Sequence, residues 1–580
     1  MTHDRSSVLI VLFGLGFCFG TSQAQQNSPT RGEGNDAVRQ KAFEVLESVS
    51  SQISTLQSPE NRARVASNIA DSIWDHDEKR ARALLVSVQD DINSVLRSQA
   101  IGQPVNEQTR MVFVQLRINT VDRIAKHDGE LALSFLQATE PDSSERSEDD
   151  QPNRDEIERA FELRLAKDIA AKNPELALNL GRRALARGVF LNMVPLLREL
   201  NRKHKEQARL LMAEIVSTLR RVNLANDRTA FYFARELAFR FAPPAIDDTT
   251  YHDLITLFAN SAAANGCNGK MADDDERNQF CYEIASVLPL MKKVDPARAA
   301  QLQRWQSDDP EQYEGSYGYE DLSELAENGT VDEILALRSR YPAIEGQIYW
   351  RAIEKARAAG DIEQARKIAS DIEGQPEMRQ SMLEMIDRDQ KIASELKEKQ
   401  KELQETLAKL RSNEERIQFL VFVAMQFGPT DRKQATKLLD QASDIVDSMK
   451  PGKDQISAQT LLALMYCSQK NDRGLSIMQS LVPKVNELVD AAAKLDGYEN
   501  QYLRDGEWNM TCNGILGSLL TGLAENATYF AWCDFDRAVS IAGQFERPEI
   551  RLMAQLKLAQ SILAGPPKAL RWDSSMRYTY

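Results

Sequence analysis

Histidines are the side chains that most often act as general bases or metal ligands near neutral pH. Beyond residue 24 the chain holds His76, His127, His204 and His252, far apart in sequence. No His-Glu-x-x-His, no Cys-x-x-Cys and no paired His and Cys at ligand spacing occurs. A Gly-x-Ser-x-Gly elbow, a phosphate loop and a Gly-x-Gly-x-x-Gly turn are also missing. The sequence therefore predicts no catalytic residue, no metal site and no cofactor.

One segment places aromatic rings beside carboxylates, as in enzymes that cleave glycosidic bonds with two carboxyl groups in an aromatic-lined cleft. Its residues are Tyr313, Tyr317, Tyr319, Asp308, Glu311 and Glu320, and a second aromatic group consists of Trp508, Tyr529 and Trp532. The alternative function is therefore an all-α toroid acting as a carbohydrate-active enzyme, a glycosidase or lyase. A tyrosine-bearing linker explains the same residues more simply, because aromatic residues make up only 7% of the chain.

The N-terminus has the pattern of a secretory signal peptide. A short polar start, Met1–Arg5, precedes an apolar run from Ser7 to Gly20, and small residues end at Ala24. We expect cleavage after Ala24 and export to the periplasm or the outside of the cell. An uncleaved anchor would need roughly 20 apolar residues, more than this run has. A lipoprotein through Cys18 is disfavoured because Phe17 stands where a small residue is expected.

The formal charge limits the partners. It is −14, and it stays the same after cleavage because the removed segment holds one acid and one base, Asp4 and Arg5. An acidic body repels nucleic acid, so no nucleic-acid partner is expected. No later segment is apolar enough to cross a membrane, so no transmembrane segment is expected after signal cleavage.

Five cysteines remain after cleavage, so at least one is unpaired within the chain. Cys267 and Cys281 bracket a polar loop, and in an oxidising compartment they are predicted to form a disulfide. Cys512 and Cys533 form a weaker second candidate pair. For this second pair, buried thiols are the preferred interpretation.

A local pattern recurs along the chain: Asp or Asn, three residues, Ala, two residues and then a large apolar residue. The Asp or Asn oxygen can accept hydrogen bonds from the unpaired amides of a first helical turn, so the pattern marks a helix N-cap. The N-caps predicted in this way are Asp77, Asp128, Asn173, Asp361, Asp431, Asp454 and Asp534, with looser copies at Asp295 and His204. Another amphipathic helix lies just upstream of most copies, and the short connection favours antiparallel packing.

The second helix of each pair carries small residues on its apolar stripe. The clearest examples are Ala177, Gly181 and Ala184, and Ala435, Leu439 and Ala442. On these residues the chain resembles the tetratricopeptide-like (TPR-like) class of α-solenoids. The copies are unevenly spaced, however, and the Trp-x-x-Leu-Gly-x-x-Tyr signature of that family's first helix is missing. The resemblance implies stacked helix pairs with a concave surface that takes a peptide or protein.

The predicted fold class is all-α, with antiparallel helix-hairpin repeats stacked as an α-solenoid or superhelix in two halves. The predicted order is a signal peptide at 1–24, a flexible leader at 25–36, helical halves at 37–306 and 331–565 around a linker at 307–330, and a tail at 566–580. Residues 140–155 are predicted to be an acidic disordered loop. The charged stretch Ile386–Ile417 is predicted to be one long solvated helix rather than a coiled coil.

These observations predict an exported helical-repeat protein that acts as a non-catalytic protein-binding or scaffolding element. Its partner is expected to be a protein or peptide. A structural envelope component that self-associates is a third hypothesis, besides the toroid enzyme.

Overall fold

The structure is a computed structural model that describes residues 32–100, 107–140, 151–243, 247–267, 275–302, 319, 321–326, 329–359, 361–372, 376–395, 406–427, 431–498, 501–510 and 515–567. The chain divides into two compact units. Unit 1 takes residues 1–116 and 383–580, and unit 2 takes residues 117–382. The expected signal peptide at 1–24 and most of the linker at 307–330 lie outside the described residues, so both stay predictions.

The described elements are almost all helices. The first are α1 Gly32–Gln52, α2 Pro59–Ile73, α3 Glu78–Ala100, α4 Glu107–Ala125, α5 Gly129–Ala138, α6 Gln151–Ile169, α7 Pro174–Ala186, α8 Met193–Lys203, α9 Lys205–Leu219, α10 Arg228–Arg240, α11 Asp248–Ala264, α12 Asp275–Ala285, α13 Leu288–Val294 and α14 Pro296–Leu302. These are followed by α15 Val331–Ala336, α16 Glu345–Ala359, α17 Ile362–Ser370, α18 Pro376–Glu395, α19 Asn413–Phe427, α20 Arg432–Asp447, α21 Lys453–Ser468, α22 Arg473–Lys494, α23 Ile515–Glu525, α24 Ala527–Cys533, α25 Phe535–Ala542 and α26 Pro548–Ala564.

Short elements complete the description. Single 3₁₀ turns span Ile53–Thr55, Leu337–Ser339 and Pro342–Ile344. Strands β1 Leu503–Arg504 and β2 Glu507–Trp508 form an antiparallel hairpin. The predicted all-α helical-repeat fold is confirmed, because helices dominate the part of the chain that the structure describes.

Consecutive helices pack as pairs, because each has an apolar stripe that its neighbour can cover. In unit 2, α6 packs on α7, α8 on α9 and α16 on α17, and α6 and α7 also contact the following pair. In unit 1, α2 packs on α3, α19 on α20 and α21 on α22. In the core of α19–α21, Val421, Leu439 and Tyr466 are fully buried.

The first helix of unit 1 has its main partner at the far end of the chain. Helix α1 packs on α26, and α2 also contacts α26. The Arg39 guanidinium donates to the Leu563 carbonyl at 3.1 Å, and the Gln560 amide donates to the Ser72 hydroxyl at 3.0 Å. Lys41 forms an ion pair with Asp536 on α25. The N-terminal and C-terminal helices therefore belong to one packed unit.

Six of the predicted capping residues stand at helix starts and accept a hydrogen bond from the amide three residues further on. The oxygen–nitrogen distances are 3.0 Å for Asp77, 2.9 Å for Asp128, 3.2 Å for Asn173, 2.9 Å for Asp361, 3.1 Å for Asp431 and 3.1 Å for Asp534. Asp295 of the looser pattern caps in the same way, whereas His204 makes no side-chain cap. The pattern missed caps at Asp227 and Asp247, because neither is followed by alanine at the required spacing.

The prediction for Asp454 is wrong. Helix α21 begins at Lys453 with Gly452 as its N-cap, so Asp454 lies inside the first turn. After Pro451 the helix starts two residues earlier than the pattern predicted, and the Gly452 carbonyl accepts the first helical hydrogen bond, from the amide of Ile456 at 3.1 Å. At this position the carboxylate of Asp454 faces the positive end of the helix dipole instead of capping an amide.

Two expectations about irregular segments also change. Helix α1 begins at Gly32, inside the expected flexible leader, and α6 begins at Gln151, inside the expected loop at 140–155. Residue Pro152 is tolerated there because the first-turn amide that proline lacks has no helical partner. Residues 141–150 lie outside the described part of the chain.

The charged stretch 386–417 does not form one helix. Residues 410–412 are non-helical, and α19 begins after them. The Ser412 hydroxyl accepts from the Glu415 amide at 3.1 Å, while the Glu415 carboxylate accepts from the Ser412 amide at 3.2 Å. This reciprocal capping starts a new helix, and it holds the pKa of Glu415 below its usual range through hydrogen bonds from the backbone amides of Arg411 and Ser412.

Close approach between α21 and α22 depends on Gly474. A Cβ at this position would lie 2.6 Å from the Cys467 sulfur and 2.9 Å from the Cys467 nitrogen, and it would also press on the Ala463 carbonyl. Backbone atoms cannot move aside as a flexible side chain can. The pair therefore packs at this separation only with glycine in α22.

We expect Gly474→Ala to destabilise unit 1 by roughly 1–3 kcal/mol, because the added methyl overpacks a backbone contact. Urea unfolding of purified protein measures this effect. Gly452→Ala is the matched control, since a Cβ there meets nothing within 4 Å. Equal unfolding midpoints for the two variants would contradict the close packing of α21 on α22.

Candidate functional site

Unit 2 contains an open pocket of about 540 Å³ between the segment that begins α16 and the first turns of α18. Pockets of this size commonly bind small molecules or single large side chains. The pocket is lined by Tyr319, Pro342, Ile344, Glu345, Gly346, Gln347, Trp350, Met378 and Met382.

Helix periodicity explains how these residues meet. Gly346 and Trp350 are four residues apart on α16, and Met378 and Met382 are four residues apart on α18, so each pair shares one helix face. Gly346 has no side chain to cover the Trp350 ring. Trp350 and Met378 are half-buried, so both remain accessible to a ligand.

An ionic network around the buried Asp321 joins the two segments that contribute Tyr319 and Pro342 to the pocket. Asp321, 5% exposed, accepts a hydrogen bond at 2.6 Å from the hydroxyl of Tyr341, the residue just before Pro342. The Arg240 guanidinium donates to the same carboxylate, and the guanidinium groups of Arg198 and Arg340 lie 3.5 Å and 3.6 Å from it. Asp321 therefore ties the chain next to Tyr319 to the chain next to Pro342.

The network is electrically balanced. Glu236 pairs with Arg240 and Glu324 pairs with Arg198, so three carboxylates face three guanidinium groups. Burial, followed by the charge of Asp321, raises the pKa of Tyr341 well above its usual range, so its hydroxyl stays a hydrogen-bond donor. Such an arrangement supports the fold of the pocket and is not set up for proton transfer.

Buried carboxylates also occur in unit 1 next to the β-hairpin. Glu507, 6% exposed, accepts from the amides of Gln57 at 2.6 Å and Ser58 at 3.2 Å, and from the Asn61 side chain at 3.0 Å. Its oxygens thus satisfy donors at the start of α2, which has no cap from the Ser58 side chain. This carboxylate thus anchors the segment that leads into α2 to the C-terminal part of the chain.

Two further carboxylates near the β-hairpin also accept hydrogen bonds from protein groups. Glu60 accepts from Arg64 at 2.8 Å and also pairs with Arg504. Glu549 accepts from the Trp508 amide at 2.7 Å. Glu60 and Glu549 are each 1% exposed. Because protein donors occupy the oxygens of Glu507, Glu60 and Glu549, these carboxylates do not offer a free pair to a sugar.

One close pair of carboxyl groups occurs in unit 2, between Asp122 on α4 and Asp168 on α6. Lost hydration, then the charge of Asp122, raises the pKa of Asp168 to about 6. Arg164 donates to Asp122 at 2.6 Å.

The structure places few of the predicted aromatic residues together. Tyr319, 53% exposed, lines the pocket, whereas Tyr313, Tyr317, Asp308, Glu311 and Glu320 lie outside the described residues. In unit 1, Trp508 is 1% exposed and stacks on Tyr502 at 5.8 Å, and Trp532 donates to the Ser561 carbonyl at 3.2 Å. Trp350, Met378 and Met382 were not singled out in the sequence, because nothing local shows which helix faces meet.

The histidines and cysteines take structural positions. His76 stacks on Phe43 at 4.3 Å, and His204 contacts the Ala171 carbonyl at 3.1 Å. Cys267 and Cys281 are joined as a disulfide between the end of α11 and α12. Cys512 lies outside the described residues. Among the residues described, no three His, Cys, Asp or Glu side chains converge as metal ligands.

Comparison with known proteins gives little further guidance. No family model and no curated protein matches the chain. One similar solved structure is described as a "Circular tandem repeat protein with novel repeat topology and enhanced subunit contact surfaces"; the match covers 88% of this chain and 98% of that chain at 12% identity, with a TM-score of 0.14. At that TM-score the fold assignment rests on the helices themselves. Within the described ranges, no helix has the length and apolar character to span a bilayer.

We expect Asp321→Asn to destabilise unit 2 by about 3–5 kcal/mol, because it removes the Asp321 charge from the buried guanidinium of Arg240. Thermal unfolding followed by circular dichroism measures the loss. Asp332→Asn is the control, as it makes the same chemical change at an exposed position of α15 and should change stability by less than about 0.5 kcal/mol. Matching melting curves for the two variants would show that the Asp321 network does not support the pocket.

Proposed function

We propose that this protein is an exported, non-catalytic protein-binding element, and that the pocket of unit 2 receives a large apolar side chain of its partner. The observation that carries the proposal is the accessible surface of Trp350 and Met378 in this pocket, which the buried Met382 also lines. Elsewhere in the described chain, the buried carboxylate clusters are occupied by protein donors.

The chemistry of the pocket suits a peptide segment. Tryptophan is among the residues that contribute most to binding energy at protein interfaces. Methionine side chains are flexible and polarisable, so Met378 and Met382 can adapt to partner side chains of different shape. Helical-repeat proteins generally present such surfaces to other proteins, which agrees with this use.

The negative charge of the chain indicates which partner segments the pocket would favour. Glu345 and Gln347 contribute polar groups to the pocket lining, and the whole chain carries a formal charge of −14. A segment with a large apolar residue next to lysine or arginine would meet both features, because the acidic body attracts it and Glu345 can pair with it. An acidic segment would be repelled.

Export is the other half of the proposal. It rests on the apolar run from Ser7 to Gly20 followed by small residues ending at Ala24. The partner would then be a protein of the cell envelope or the extracellular space. N-terminal sequencing of the mature protein from its host tests this half separately, and a mature chain that begins at Met1 would contradict it.

The toroid carbohydrate-active enzyme remains the competing function. The exposed ring of Tyr319, in the acidic aromatic segment, favours it. The engagement of Glu60, Glu507 and Glu549 by arginine and backbone donors disfavours it. Glycan turnover by purified protein, abolished by Glu507→Gln in a variant that remains folded, would establish the enzyme instead.

We expect Trp350→Ala to weaken binding of peptides selected from a random display library by on the order of 10-fold or more, the size typical of a buried aromatic anchor. Fluorescence polarisation with labelled peptides gives the affinities. Tyr498→Ala serves as the control, because it truncates an aromatic side chain that is 86% exposed and does not line the pocket.

Selected peptides should share a large apolar residue flanked by basic residues. Peptides that bind Trp350→Ala and the wild type equally well would contradict the pocket as the binding site. Failure to select any peptide, together with turnover of a glycan, would favour the enzyme.

A further inference from the structure

Two thiols that are distant in sequence lie side by side in unit 1. Cys467 is near the end of α21 and Cys533 is the last residue of α24, and these two helices pack together. Cys467 is 3% exposed, Cys533 is partly exposed, and both are free cysteines. The sulfur of Cys533 also lies 3.7 Å from the Asn471 carbonyl, in the turn that follows α21.

The surrounding packing fixes this arrangement. The turn after α21 contains Lys470 with a φ of 56°, a left-handed conformation that side chains rarely adopt. Gly474 presses against Cys467 from the other side, leaving no room for a side chain between α21 and α22. Within the part of the chain that the structure describes, the other free thiol in unit 1 is that of Cys533.

We propose that Cys467 and Cys533 form a second disulfide of this protein by exchange with an external disulfide, either a small-molecule disulfide or that of a thiol oxidoreductase. In the sequence, Cys512 is only a weaker candidate partner of Cys533, and buried thiols are the preferred interpretation of that pair. The new pairing leaves Cys512 as the single unpaired thiol of the mature chain. This inference does not rest on the proposed function, because the pair lies in unit 1 and the pocket lies in unit 2.

The contacts assign a role to each sulfur. The hydrogen bond from Cys467 holds the pKa of Cys533 below its usual range, and the same bond, aided by burial, raises the pKa of Cys467. Cys533 is also the more exposed thiol. Cys533 is therefore the attacking thiolate and Cys467 the resolving thiol.

The exchange balances in two steps. The Cys533 thiolate attacks one sulfur of the external disulfide, forming a mixed disulfide and releasing the first external thiolate, which takes up a proton. Cys467 gives up its proton to solvent and attacks the Cys533 sulfur, which expels the second external thiol. Two protein thiols thus lose two electrons and two protons, and one external disulfide is reduced to two thiols.

Peptide mapping of the full-length mature protein tests the pairing directly. The protein is incubated with oxidised glutathione, free thiols are blocked with iodoacetamide, and the non-reduced digest is analysed by mass spectrometry. We expect a cross-linked peptide pair containing Cys467 and Cys533, with Cys512 alkylated. The Cys267–Cys281 linkage in the same digest shows that disulfides survived the procedure.

Variants separate the roles of the two sulfurs. Cys533→Ala should abolish any mixed disulfide with glutathione at this pair, whereas Cys467→Ala should let a glutathione adduct accumulate on Cys533. Cys512→Ala is the control and should leave the Cys467–Cys533 linkage unchanged. Alanine is used because Cys467 packs as a small apolar residue.

Linkage of Cys512 to either cysteine, or alkylation of both Cys467 and Cys533 after the oxidant, would overturn the proposal. The wild-type map decides this even if a variant fails to fold. A raised melting temperature after oxidation, lost in Cys533→Ala and kept in Cys512→Ala, would further support a cross-link between α21 and α24.

Discussion

An amphipathic helix in water must cover its apolar stripe, and every described part of this chain is arranged around that need. Consecutive helices cover one another, as α19 and α20 do, with Ala435 and Ala442 letting the backbones approach and Leu439 filling the space between them. Capping side chains fix where a helix begins, and the start of a helix determines which side its stripe faces. Helix α1 has no preceding helix in the described chain, and its stripe is covered mainly by α26.

Buried polar groups are likewise satisfied by partners from other segments of the chain. Glu507 satisfies amides at the start of α2, and Asp321 joins Tyr341 to three guanidinium groups. Buried charge is tolerated at both places because each group finds partners of opposite charge or hydrogen-bond donors. The pocket of unit 2 differs, since Trp350 and Met378 keep part of their surface uncovered. That contrast is why binding, rather than chemistry, is the function we propose.

Local features were predictable from the sequence and distant ones were not. Asp128 and Asp431 cap helices because the signal, an acceptor three residues before a free amide, is contained within one turn. The prediction for Asp454 was wrong because Gly452, two residues upstream, is the N-cap of the helix. No local sequence pattern predicts the packing of α1 on α26, because the apolar stripe of either helix would fit many other helices. The pocket was missed for the same reason, although Tyr319 had been singled out as part of an acidic aromatic segment.

The central structural claim is that α1, the first helix of unit 1, packs against α26 and contacts α25 at the far end of the chain. Zero-length carbodiimide coupling tests it, because the reagent joins an amine to a carboxylate only where the two are in contact. The account predicts an amide between Lys41 and Asp536, with Lys203 and Glu199, 3.8 Å apart on α8, as the internal control. Coupling of the control pair without Lys41–Asp536, together with links from Lys41 to acidic residues outside α25 and α26, would contradict it.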